Sequence, residues 1–329
     1  MDEQAYAGKP VLVTGGLGFI GSNLAIRLAE LDADVTVVDS LVPELGGNRF
    51  NVASVEGRIE VSTSDLRDGD AVARLVADQE VVFAVAGSVS HLDSMTDPLR
   101  DLELNYRTQL SLLQALRERN PETRVVYAGS RQEYGRPQYL PVDERHPLEP
   151  VDINGIDKAA AESATLIYHR VHGLRACSLR LTNTYGPRMQ MRHGRQGFVP
   201  WFVRRALDGE ELELFGGGES LRDFNEVGDV VEAFLLCGQA DSAVGEVFNL
   251  GHPEPVTIRR FAETLLEVAG SGTLVDRRFP ADRASIDIGS VYADFSKIRE
   301  RLGWEPRVGL HEGLTGMVEY YRRNRRHYW

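Results

Sequence analysis

The sequence predicts an α/β fold, a doubly wound parallel sheet with helices on both faces, joined to a smaller and irregular α/β lobe. Two observations predict it. Through the first half, short β-branched runs alternate with longer amphipathic stretches; after about Asn183 the pattern gives way to Gly-, Arg- and Pro-rich loops with shorter elements. The first pattern is that of successive β-α-β units, whose strands are buried on both faces and therefore read as nearly continuous apolar runs.

Taken in order, Val11–Thr14, Val35–Asp39, Val81–Ala86, Val125–Tyr127 and Arg175–Leu181 read as strands. Helices are expected from Gly18, Gly69, Pro98 and Ile153. Beyond them, Phe198–Asp208 and Thr257–Ala269 read as helices of the second lobe. The predicted division is residues 1–182 for a dinucleotide-binding domain and 183–329 for a substrate-binding lobe, with room for the chain to cross between them.

A chain of 329 residues with 42% hydrophobic residues can bury a substantial core. Its net charge of -12 argues against a nucleic-acid partner, which calls for a basic face. The two cysteines, Cys177 and Cys237, fall in a predicted strand and a predicted helix and read as buried thiols, with no metal spacing. No basic-then-apolar leader and no run of ~18 apolar residues is present, so the expectation is a cytoplasmic protein without a membrane partner.

The most specific local signal is TGGLGFIGS, residues 14–22. Gly15, Gly18 and Gly21, with Phe19 and Ile20 between, follow the first strand and open the first helix. Glycines there permit a tight turn and let a pyrophosphate approach the N–H groups of a helix N-terminus. Asp39 closes the second strand 18 residues beyond Gly21, the place of a carboxylate that receives the adenosine ribose hydroxyls. It would repel a 2′-phosphate, so the expected cofactor of this Rossmann-type domain is NAD rather than NADP. Asp65 and Leu66 follow the third strand; Asp65 either meets the adenine amine or caps the next helix.

Further pieces occur in a fixed order: the Asp65-Leu66-Arg67-Asp68 turn, Ser94 and Pro98 ahead of Asn105, Ser130 with Tyr134-Gly135, Lys158, RLTNTYGPR at 180–188, Arg222-Asp223-Phe224 and Leu302-Gly303-Trp304. With these, nearly the whole chain resembles the extended short-chain dehydrogenase/reductase family of NAD-dependent nucleotide-sugar epimerases and dehydratases. The resemblance implies that Lys158 holds the nicotinamide ribose, that Ser130 contacts the reacting sugar hydroxyl, and that Ala84 and Ala86 border the cofactor. It places Ser88, Arg131, Asn183 and Arg222 toward the substrate, with Arg222 clamping the diphosphate, and makes Phe198, Val199 and Phe215 a wall of the nucleotide pocket. It also implies a homodimer built on Pro98–Arg119 and Ile153–His172.

Two departures bear on the chemistry. Where the family has a tyrosine four residues before the lysine, this chain has Asn154, which cannot exchange a proton near neutral pH. Where dehydratase-like relatives carry Asp-Glu after the Ser/Thr, it has Arg131 and Gln132. Candidate replacement bases are His91, whose side chain type titrates near neutrality, and Glu133, read either as inward-turned or as a carboxylate on a solvated loop edge. The expected activity is 4-epimerisation of a nucleotide sugar through a transient ketone. A decarboxylase, reductase or dehydratase on the same scaffold, or a non-catalytic binder of NAD and nucleotide sugar, stays open at this point.

Overall fold

The computed structural model describes residues 3–279 and 287–329. Its frame is a seven-stranded, wholly parallel sheet. In chain order the first six strands are β1 (Pro10–Thr14), β2 (Asp34–Val38), β3 (Ile59–Ser62), β4 (Val81–Ala84), β5 (Arg124–Ser130) and β6 (Arg175–Leu181); the seventh is Val247–Asn249. Across the sheet they lie Val247–Asn249, β6, β5, β4, β1, β2, β3. The order reverses between β1 and β4, and this opens a crevice at the carboxyl ends of the strands.

The strands are where the β-branched runs predicted them because both faces are covered. Val11, Leu12 and Val13 of β1 are all fully buried. The long helix Ile153–His172 begins at Asp152, whose Oδ1 accepts the Gly155 N–H at 2.8 Å, and stops at Gly173 in a left-handed conformation. The helix entered at Pro98 is capped by Asp97 and continues to Arg119, but a π-turn at Glu103–Arg107 interrupts its ladder. That turn presents Asn105 inward, where its Oδ1 accepts the Ser88 N–H at 3.0 Å.

The second lobe has its own core. Phe202, Val203, Phe224, Phe261, Leu314 and Tyr321 meet between the helices Phe198–Asp208, Ile258–Ala269 and Leu310–Asn324. Val227–Asn249 crosses back: its helix, Val227–Gln239, packs on the Phe19–Glu30 helix, and its strand extends the main sheet beside β6. The two cysteines meet the expectation, as Cys177 on β6 and Cys237 on the crossing helix are both buried and free.

Candidate active site

Gly15, Gly18, Phe19, Ile20, Asp39, Asp65, Leu66 and Ala86 line one cleft at the reversal point. Gly15 adopts φ 64°, and a Cβ on Gly21 would lie 2.3 Å from the Gly15 carbonyl oxygen, so the turn closes only with glycine at both places. The helix beginning at Phe19 points its N-terminus into the cleft, a ready anion site. Asp39 is held by the N–H groups of Leu17 (3.2 Å) and Leu41 (2.9 Å), and burial raises its carboxyl above the usual range. Residues 189, 190, 196 and 200 of the second lobe close the cleft from the other side, a contribution that no local signal announced.

Two expectations at this end change. Ala84 is buried in the core with Leu12, Val82 and Tyr127 and does not line the cleft, because strand alternation turns it to the helix layer; Val85, Ala86 and Gly87 do the lining. The next helix is capped by Asp68, whose Oδ1 accepts from Asp70 and Ala71, so Asp65 is not its cap. Asp65 instead pairs with Arg67 (2.5 Å), whose hydrogen bond holds its carboxyl below the ordinary range.

The reacting end is built from loops after β4 and β5 and from the Ile153–His172 helix. Lys158 is buried; Gly87 leaves it room, since a Cβ there would come 3.0 Å from its Nζ. Burial lowers the Lys158 ammonium's pKa, and Glu133 and Asp101 oppose this. Asn154 stands one turn earlier, fully buried, and its amide nitrogen is committed: Nδ2 donates to Ser88 O (3.1 Å) and to Asp101 (3.1 and 3.0 Å), while Oδ1 has no hydrogen-bond partner among the described residues. It acts as a scaffold residue tying the helix to Asp101, not as a proton carrier.

Glu133 corrects the solvated-edge alternative. Ser130 caps the Arg131–Tyr134 turn, its Oγ accepting the Gln132 N–H at 3.2 Å, while Glu133 folds back to take the Ser130 N–H at 2.7 Å. This reciprocal cap drives the carboxylate completely inside, 3.5 Å from Arg180, which also holds Glu162 at 2.5 Å. Burial, then Glu162, pushes the Glu133 carboxyl well above its ordinary range, with Arg180 opposing. Glu133 supports the loop from beneath and is shut off from solvent.

His91 is placed quite differently. It begins a short helix, His91–Thr96, with its side chain one-third exposed (34%), Nδ1 hydrogen-bonded to the Asp152 carboxylate and Nε2 lying 2.7 Å from the Gln132 amide nitrogen. Burial alone would raise the Asp152 carboxyl, but the hydrogen bond and charge of His91 bring it below the usual range. Asp152, which the sequence reading passed over, is what orients this imidazole.

On the substrate side, Asn183 donates to Asp223 O (3.1 Å), and Arg222 is buried with Nη1 on Leu221 O (2.8 Å) and Gly289 O (2.5 Å). Burial, with Arg131 beside it, brings the Arg222 guanidinium down to about 9. Val199 is a correction: it is 5% exposed and belongs to the second-lobe core, because it shares one apolar face of its helix with Phe202 and Val203 and that face packs into the core with Phe224 and Phe261. Phe198 packs edge-on to Phe224 and Phe261, and Phe215 meets Phe279 at 5.9 Å. No group of three His, Cys, Asp or Glu among the described residues is placed to hold a metal ion, and no described helix is long and apolar enough to cross a membrane.

A glycine-turned helix N-terminus and an acid closing β2, at the reversal of a parallel sheet, define a dinucleotide-binding α/β protein. Residues 11–251 match the NAD dependent epimerase/dehydratase family, and the chain belongs to it. It is 32% identical to UDP-glucuronic acid decarboxylase 1 of Xenopus tropicalis, over 97% of this chain and 73% of that one. It is 32% identical to dTDP-glucose 4,6-dehydratase of an Actinoplanes species, over 96% and 98%. The solved UDP-glucose 4-epimerase of Thermus thermophilus in complex with NAD superposes with a TM-score of 0.84 at 31% identity, covering 95% of this chain and 99% of that one. The cofactor is NAD, and Gly15, the Phe19 helix N-terminus and Asp39 fit its pyrophosphate and ribose.

Proposed function

We propose that the protein binds a nucleoside diphosphate sugar beside NAD and inverts one carbinol carbon, C4 of a hexose, through a transient ketone, with His91 accepting the hydroxyl proton. The observation that carries this reading is the Asp152–His91–Gln132 chain, set next to Ser130. NAD, held by Gly15, the Phe19 helix N-terminus and Asp39, would supply a reversible hydride acceptor for that carbon, allowing return to the opposite face of the ketone. Asp152 holds Nδ1 as the donor, so Nε2 is the basic nitrogen, as in other carboxylate-oriented imidazoles. Gln132 caps Nε2 at rest and must give way to the sugar hydroxyl; Ser130 Oγ keeps its own hydrogen to donate to the same oxygen.

The three relatives named above carry out three different reactions by name, so the outcome is argued from side chains. Elimination of water needs an acid to protonate the departing hydroxyl. Arg131 and Gln132 occupy the loop where that acid would stand, and Glu133 is sealed below it. Returning the hydride without loss of a group needs no such acid.

His91→Ala should lower interconversion of UDP- or dTDP-hexose epimers by ~100-fold or more, the usual weight of a general base, with NAD content unchanged. Wild-type activity in that variant would exclude His91, and failure of the wild type to turn over any nucleotide sugar would overturn the epimerase reading. We further propose a cytoplasmic homodimer of two lobes, 1–182 and 183–329 with Val227–Asn249 crossing back to the first, paired through the Pro98–Arg119 and Ile153–His172 helices. Leu99, Ile156, Ile167 and Val171 stand exposed on these helices (75%, 48%, 51% and 68%). Light scattering should give twice the 36.6 kDa chain mass; the monomer mass would refute the pairing.

A further inference from the structure

Arg131 is the polar group that the proposed chemistry leaves unused. It follows Ser130 directly and precedes Gln132, so its backbone belongs to the reacting end of the site. Its guanidinium feels Asp152, the carboxylate behind His91, on one side and Asp223 on the other, and it presses on the charge of Arg222. It therefore lies close to Asn183 and within electrostatic reach of both Asp152 and Arg222.

Its hydrogen bonding is incomplete. Nη2 reaches only Asn183 Oδ1, at a long 3.4 Å, and Nη1 is shielded from solvent without any partner among the described residues. Asp223 is not hydrogen-bonded to it: burial pushes the Asp223 carboxyl up to about 7, its Oδ2 accepts the Ala293 N–H at 3.0 Å, and its Oδ1 has no hydrogen-bond partner among the described residues. Removing a guanidinium from water without an anion is strongly unfavourable, and a flat fork of N–H donors matches a carboxylate bidentately. Arg222 differs, since Nη1 is anchored on two carbonyls and its charge is set at the phosphate end.

We propose that the sugar of the substrate carries a carboxylate, making it a nucleoside diphosphate uronate, and that Arg131 forms the ion pair with that carboxylate. This rests on the nucleotide-sugar reading above. The chemistry it names is specific: the diphosphate goes to Arg222, the carbinol to Ser130 and His91, and the third anionic group to the orphaned face of Arg131.

The test is calorimetric titration of the NAD-loaded protein with UDP, UDP-glucose and UDP-glucuronate, and with the thymidine counterparts, for wild type, Arg131→Gln and Arg131→Lys. The wild type should bind the uronate about 10- to 100-fold tighter than the hexose, the scale of a charge-assisted fork. Arg131→Gln should abolish that preference while leaving the nucleoside diphosphate and the hexose within about 3-fold of wild type, and Arg131→Lys should keep only part of it. Equal wild-type affinity for uronate and hexose, with the diphosphate still bound, would overturn the inference and leave the nucleotide-sugar reading standing. An equal loss for UDP and uronate in Arg131→Gln would make Arg131 a phosphate ligand and overturn it too. No binding of any nucleoside diphosphate would overturn the nucleotide-sugar reading itself, and this inference with it. Should Arg131→Gln fail to fold, the wild-type comparison of uronate with hexose decides alone.

Discussion

The two ends of the cleft are built on different principles. At the cofactor end, recognition is by backbone: a left-handed Gly15, a Gly21 with no room for a side chain, an open helix N-terminus and one carboxylate, Asp39. At the reacting end it is by side chains, several of them buried, that depend on one another. His91 needs Asp152, Asn154 needs Asp101, Glu133 needs Arg180, and Nη1 of Arg131 has no hydrogen-bond partner among the described residues. A backbone device leaves almost no room for side chains. A side-chain network can be altered one residue at a time while the backbone that holds NAD stays fixed.

Breaking the backbone device should have the largest effect. Gly21→Ala brings a Cβ to 2.3 Å from the Gly15 carbonyl oxygen and 2.8 Å from its carbon, so the turn must open. NAD binding should weaken by more than about 100-fold, since the pyrophosphate depends on that turn; near-normal NAD occupancy in the purified variant would show that the turn can relax. At the other end, Arg222→Ala should weaken nucleoside diphosphate binding by about 2 kcal/mol or more, the cost of losing one partner of a buried charge pair, and should spare NAD. Titrating each ligand separately checks it, and a parallel loss of both would mean the two ends are not independent.

The smallest effect concerns stability. Asp157 shares the helix interface with Asp101, which also receives the amides of Asn105 and Asn154. Burial, followed by the charge of Asp101, pushes the Asp157 carboxyl up to about 7, while Lys158 on the adjoining position is itself buried. A carboxyl raised in the folded state contributes stability below its unfolded pKa of ~4 that is lost as pH rises through the folded value. Wild-type Tm should therefore fall between about pH 5.5 and pH 8.5 by more than that of Asp157→Asn, measured by calorimetry. Identical slopes would show that the pair does not share a proton.

Much of this was legible without coordinates. The β-branched runs gave β1, β2, β4, β5 and β6, since strands covered on both faces have almost no choice of residue. Gly15, Gly18, Phe19, Ile20 and Asp39, singled out by their spacing, line one cleft with Leu66 and with Ala86, which the resemblance implied, because a strand, a turn and a helix N-terminus form a local unit. Ala84 and Val199 were misplaced for lack of the face each presents, which is decided by packing partners far along the chain. Asp152 was passed over because its role depends on His91, 61 residues away. The inward turn of Glu133 required knowing that Arg180 waits beneath, on a strand that joins only in the sheet. The sequence alone determined the fold and the cofactor, which rest on short-range periodicity and backbone freedom. Tertiary structure alone decided which ionisable groups face the cleft and which are sealed, because burial and charge pairing are properties of distance in space.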